Sequence, residues 1–119
     1  AIRADLRHPQ AILSHHAVRT TLDLRQPVGL LMVSMLQFIP DDEAYPAVRH
    51  LVDALAPGSY VVISHVATEA MSAESNLAMT EIYRRSTAPS GATRTRTMIR
   101  RFFDGLDLVD PGLVWVSQW

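Results

Sequence analysis

The run at residues 28–36, "VGLLMVSML", has no polar alternation, and Ser34 is its only hydroxyl. Such a strand is normally covered on both faces, which predicts a parallel sheet flanked by helices. A second β-branched run, "SYVVISHV" (59–66), predicts another strand. Between them Pro46 can start a helix, in which Val48, Leu51, Val52 and Leu55 recur at helical spacing while Arg49, His50 and Asp53 face away. Pro57-Gly58 ends that helix. Strand, helix and strand with short connections make a βαβ unit with a right-handed crossover.

The flanks carry weaker signals. "AIRADLR" reads as the tail of a strand ending near Asp5, and Pro9 suits the first turn of a helix over "HPQAILSHHAV". "DLRQP" (23–27) is a loop. A helical pattern over 73–85 puts Ala78, Met79, Ile82 and Tyr83 on one side, and "STAPSGAT" (86–93) is a loop by composition. Thr95 caps a helix that buries Ile99, Phe102 and Phe103 and stops at Gly105. "LDLVDPGLVWVSQW" predicts two strands joined at Asp110-Pro111-Gly112 as an antiparallel hairpin. The fold class is α/β with an antiparallel finish.

With 119 residues there is room for one domain with a real core. The 48% hydrophobic and 19% charged content is that of a soluble globular protein. A net charge of −1 favours neither nucleic acid nor an acidic partner. The absence of cysteine removes disulfides, thiolate metal sites and cysteine nucleophiles. No apolar run reaches the ~20 residues that span a bilayer, and the opening residues lack a signal-peptide core. The expectation is a cytoplasmic protein. All eleven basic residues are arginine, and six of them, with no acid among them, lie between Arg84 and Arg101. The plain reading of that block is a solvated face; the rival is an anion-binding patch.

In open α/β sheets ligands bind outside the carboxyl ends of the strands. That places Gln37, after the first run, and His65, closing the second, beside a crevice. A histidine titrating near neutrality is the candidate base or acceptor-orienting group, against the plainer reading of a hydrogen-bonded structural residue. Ser34 in an apolar run is by default a serine bonded to neighbouring backbone. His15 and His16 are adjacent and do not converge as helical i, i+4 ligands would, so no metal site is expected there.

Four ordered motifs, "ADLRHPQAILSH", "PVGLLMVSMLQFIPDD", "LAPGSYVVISH" and "IRRFFDGLDLVDPGLV", resemble the later two-thirds of the S-adenosyl methyltransferase family abundant in actinobacteria. The resemblance implies a Rossmann-like class I methyltransferase fold and S-adenosylmethionine as cofactor, with S-adenosylhomocysteine as product. It implies that Asp5 accepts from the adenine amino group and that the Leu6 backbone N–H bonds a ring nitrogen. Val33 and Ser34 match positions beside the cofactor's methionine end. Gln37 stands where relatives usually carry histidine; its amide can orient a ligand but cannot serve as a base. Tyr83 and Arg84 are implied on the acceptor side, with a packed tyrosine and a surface arginine as the default readings.

The family's Gly-rich loop and the acid that ends its second strand have no counterpart here. Strands one and two would lie between the strand tail at residues 1–5 and the strand at 28–36. The expectation is therefore that residues 1–119 are the C-terminal part of one methyltransferase domain, that the N-terminal half belongs to the same protein, and that this part alone binds S-adenosylmethionine poorly. The expected function is methyl transfer to an unidentified acceptor, a small molecule by preference. The alternative is a non-catalytic cofactor-binding or regulatory protein of the same fold. Nucleic-acid binding through the arginine block lacks interleaved aromatics, and a homo-oligomer stays open.

Overall fold

The computed structural model describes residues 1–85 and 93–119, with the backbone alone at Ala70, Tyr83 and Arg84. Two short helices come first, α1 (Pro9–Ser14) and α2 (His16–Thr21). Pro9 opens α1 as its sequence position suggests, but the pattern that read as one helix is broken at His15, whose backbone is extended. The His15 ring caps α2, its Nδ1 accepting from the Ala17 N–H at 3.1 Å.

β1 (Gly29–Val33) and β2 (Tyr60–Ser64) pair in parallel, with Gly29 opposite Tyr60 and Val33 opposite Ser64. β1 is shorter than its apolar run because Ser34 turns into the left-handed region, with φ 50°. A 3-10 turn, Leu36–Phe38, follows. Leu36, the last apolar residue of the run, thus reaches the core from a turn and is fully buried there.

Helix α3 (Asp41–Asp53) connects the strands. It begins ahead of Pro46, not at it, because Asp41, Asp42 and Glu43 lie in its first turn and complement the partial positive charge of the helix N-terminus. Pro46 is exposed and forfeits one backbone hydrogen bond near that end. The buried face carries Ala44, Ala47, Val48 and Leu51, while Arg49, His50 and Asp53 are exposed, as the spacing predicts.

After β2 come α4 (Ala73–Arg85) and α5 (Arg96–Arg100). The loop expected at 86–93 falls, apart from Thr93, outside the described residues. Thr95 caps α5 as expected, its Oγ1 accepting from the Met98 N–H at 3.2 Å. Ile99 and Phe102 are buried beyond it, and Gly105 turns the chain at φ +82°. The core joins Leu6, Met32, Leu36, Ile39, Ala44, Val48, Leu51 and Phe102. It lies on one face of the sheet. The other face is bare: Leu31 is 63% exposed, Val33 62%, Tyr60 63% and Val62 45%.

Two expectations need correction. Residues 1–5 form no strand; their backbone enters no ladder among the described residues. The antiparallel C-terminal hairpin is absent too, and the one sheet among the described residues is parallel. A turn does form, with the Gly112 N–H donating to the Val109 carbonyl at 2.7 Å, but its arms do not pair. The Leu113 carbonyl accepts from the Arg96 guanidinium instead, and Val116–Gln118 is a 3-10 turn. Alternating β-branched residues are a local signal, whereas a ladder needs a second strand in register.

Candidate functional site

The carboxyl ends of β1 and β2 bring polar side chains together where the sheet stops. The Ser34 N–H donates to the Ser64 carbonyl at 3.1 Å and lies 3.0 Å from Ser64 Oγ, and the two hydroxyls lie 3.2 Å apart. These contacts hold Ser34 in a backbone region that costs a non-glycine residue about 1–2 kcal/mol. Its carbonyl is thereby turned towards the following loop, where it accepts from Gln37 Nε2 at 2.8 Å.

That bond fixes the Gln37 amide. Turning it over would set two oxygens against each other, so Oε1 must point away from Ser34. Oε1 is buried and has no hydrogen-bond partner. An acceptor left in that condition costs about 1–3 kcal/mol, which marks it as a point of unmatched polarity at the strand ends. Among the described residues a second buried orphan, Asn76 Oδ1, lies on α4, where its Nδ2 donates to the Thr68 carbonyl at 3.0 Å.

Behind Gln37 stands a residue that the sequence did not single out. Arg94 is 0% exposed. Its Nε donates to Asp41 Oδ1 at 2.8 Å, its Nη1 to the Leu36 carbonyl at 2.7 Å, and its Nη2 to the Ile39 carbonyl at 2.8 Å. Nη1 also lies 2.9 Å from His65 Nε2. The guanidinium carbon sits 5.1 Å from the Phe102 ring centre and 5.7 Å from that of Tyr45, close enough for both aromatic faces to favour the cation. A single side chain thus ties the loop after β1, the start of α3 and the end of β2 to the segment before α5.

His65 is held from both sides. Its Nδ1 lies 2.7 Å from the Val66 carbonyl, which can only accept, so Nδ1 carries the proton. Nε2 then holds the lone pair and receives the Arg94 N–H. Burial, with Arg94 adding to it, pulls the imidazole pKa below its ordinary value. His65 is neutral near pH 7, and the lone pair a general base would use is occupied.

The remaining expected positions are scattered around this cluster. Leu6 is buried against the same core as Met32 and Leu36. Asp5 is exposed, and Arg7 bonds it through its backbone N–H at 3.0 Å and its guanidinium at 2.6 Å. Those bonds to Arg7 hold the Asp5 carboxyl at a pKa of about 2, so it is an anionic acceptor at neutral pH. Val33 lies on the bare face of the sheet. Tyr83 and Arg84 belong to α4, and their side chains lie outside the described residues. A hollow lined by Tyr45, Val52, Arg101 and Phe102 includes no residue of either strand, and none of its lining residues carries an orphaned polar atom. Among the described residues no group of three or more histidine or carboxylate side chains could hold a metal ion, and no helix is long and apolar enough to cross a membrane.

Solved structures of the same architecture exist. A DUF574 family protein from Streptomyces avermitilis is 33% identical, superposes with a TM-score of 0.87, and is matched over 99% of this chain and 45% of its own. A candidate methyltransferase from Thermobifida fusca is 34% identical, with a TM-score of 0.86 over 99% of this chain and 43% of its own. The chain therefore spans less than half the length of these relatives. No curated protein matches it. The family model described as S-adenosyl methyltransferase matches residues 1–119, and the chain belongs to that family.

Proposed function

We propose that the chain forms the C-terminal part of an S-adenosylmethionine-dependent methyltransferase of Rossmann-like class I fold, acting on a small-molecule acceptor. The observation that carries this reading is the buried, unpartnered Oε1 of Gln37 at the carboxyl end of a parallel strand. It fits a cofactor rich in N–H and O–H donors. Val33 at the end of β1 and Ser34 just beyond it precede Gln37, and the anionic Asp5 with the Leu6 backbone is the candidate adenine-side contact. Asp5 already shares its oxygens with Arg7, so an adenine amine would take a remaining lone pair or displace one of those bonds. Tyr83 and Arg84 are assigned to the acceptor side on the family resemblance. When bound, the cofactor supplies a methyl group already activated on a sulfonium. The protein's part is alignment and electrostatics, so the reaction can run with His65 neutral and engaged. We assign His65 to holding Arg94 and not to proton transfer.

The bare sheet face supports the half-domain reading. Parallel sheets are covered on both faces, and here Leu31, Val33, Tyr60 and Val62 are uncovered. The part of the relatives that this chain does not match is the natural source of that cover. Titration with S-adenosylhomocysteine, on the 119-residue chain and on the full-length protein, is the test. Binding by the full-length protein and little by the shorter chain is expected; no binding by either would overturn the cofactor assignment. Intact mass under denaturing conditions fixes which species is in hand, since the 119 residues weigh 13.2 kDa.

A second reading rests on Gln37, whose amide is not a base, and on His65, whose basic lone pair is occupied by Arg94. It is a cofactor-binding regulator without turnover. Binding with no methyl transfer to any of a broad acceptor panel would favour it.

A further inference from the structure

Six arginines crowd residues 84–101, and they are chemically equivalent in the sequence. Arg85, Arg96, Arg100 and Arg101 are exposed, whereas Arg94 is sealed inside. Burying a guanidinium is costly unless its donors are matched, and here four contacts take up four of its five N–H groups. Two of those contacts are the carbonyls of Leu36 and Ile39, which bracket Gln37. The loop that carries the orphaned Oε1 is held by Arg94 at both ends.

We propose that Arg94 is a positioning residue for the methyl-transfer site. By gripping the Leu36 and Ile39 carbonyls, it fixes the turn that carries Gln37 at the strand ends, and the neutral Nε2 of His65 completes the grip. The inference rests on the reading of the strand ends as a cofactor site.

The arrangement has a built-in sensitivity to acid. The charged groups facing His65 are Arg94 and Asp41, while the Phe102 ring stacks near it, with ring centres 6.4 Å apart. Protonating Nε2 would set an N–H against the guanidinium and remove the acceptor. Only the partly exposed Asp41 would offset the extra positive charge. The grip therefore loosens in the acid range below the ordinary histidine pKa.

The test uses the full-length protein, with S-adenosylhomocysteine as the calorimetric probe and long-range nitrogen–proton NMR reporting the His65 ring nitrogens. Arg94→Lys keeps the charge but cannot reach both carbonyls and the imidazole together. It is expected to weaken binding at least tenfold while the protein stays folded, and to move the His65 Nε2 nitrogen shift as its guanidinium donor is withdrawn. Asp41→Ala, at a partly exposed position that folding tolerates better, should weaken binding roughly three- to tenfold by freeing one side of the guanidinium. His65→Gln, which offers an amide oxygen near the place of Nε2, should flatten the fall in Tm below about pH 6.5. A residue that merely filled space would alter none of the Nε2 shift, the acid profile or the affinity of a folded variant. Wild-type binding that persists undiminished in folded Arg94→Lys and in Asp41→Ala would sink this inference alone. A wild type that fails to bind would sink the site reading and this inference with it.

Discussion

The two faces of one small sheet have opposite fates. On one, Met32 is buried under α3 and Phe102, together with Leu36 from the turn beyond β1. On the other, Leu31 and Val33 sit on either side of Met32 along β1 and stand open. The strands are equally apolar on both sides, so residue type does not separate the faces. What separates them is whether this chain supplies a covering element. Burial is a property of the neighbour as much as of the residue, and an apolar run records a cover that has to come from somewhere.

Paired substitutions put that difference to the test. Leu36→Ala empties a packed position and should cost about 2–5 kcal/mol by denaturant unfolding. Leu31→Ala should change the stability of the 119-residue chain by no more than about 0.5 kcal/mol. If the missing cover belongs to the full-length protein, Leu31→Ala there should approach the Leu36→Ala loss. Equal effects in both lengths would mean that the open face is never covered. Thr95→Ala comes next: it removes the α5 cap beside Arg94 and should cost about 1 kcal/mol, read as a lower Tm.

A further contrast is between two ionisable groups. His65 has a depressed pKa, so between the unfolded value near 6.5 and its lower folded value the unfolded chain binds more protons. The stability His65 contributes is present above that window and lost as pH falls through it. Asp5 is depressed to about 2, so its contribution is present above the unfolded carboxylate value near 3.9 and lost only towards pH 2. A Tm profile should show the histidine step well before the aspartate one. Asp5→Asn should be the smallest effect of all, below about 0.5 kcal/mol, because the Arg7 pair is exposed and screened.

Much of this could be read from residue order. The apolar face of α3, the two strands, the Thr95 cap and the Gly105 stop all follow from local pattern. Gln37 was placed at a strand end by the same reasoning. Arg94 was not visible, because nothing in a run of arginines says which one will be enclosed. Its partners are 29 to 58 residues away, so its burial is decided by packing. The C-terminal hairpin failed for the same reason in reverse: the local pattern was there, and no register formed. Ser34 carries no signal of its left-handed backbone either, since that conformation is held by Ser64 across the sheet.

The register of the sheet also bears on how quickly the chain can find its fold. Every rung joins residues 31 apart, from Gly29 with Tyr60 to Val33 with Ser64. No tight turn seeds such a ladder, so the loop must close before the first rung forms. Helix α3 occupies half of that loop and shares the core with β1, so it shortens the search only if it docks early. Substitutions along the buried side of α3 should then slow refolding, while those on the open sheet face should leave its rate alone. The speed of assembly would be written in the crossover, and the strands would follow it.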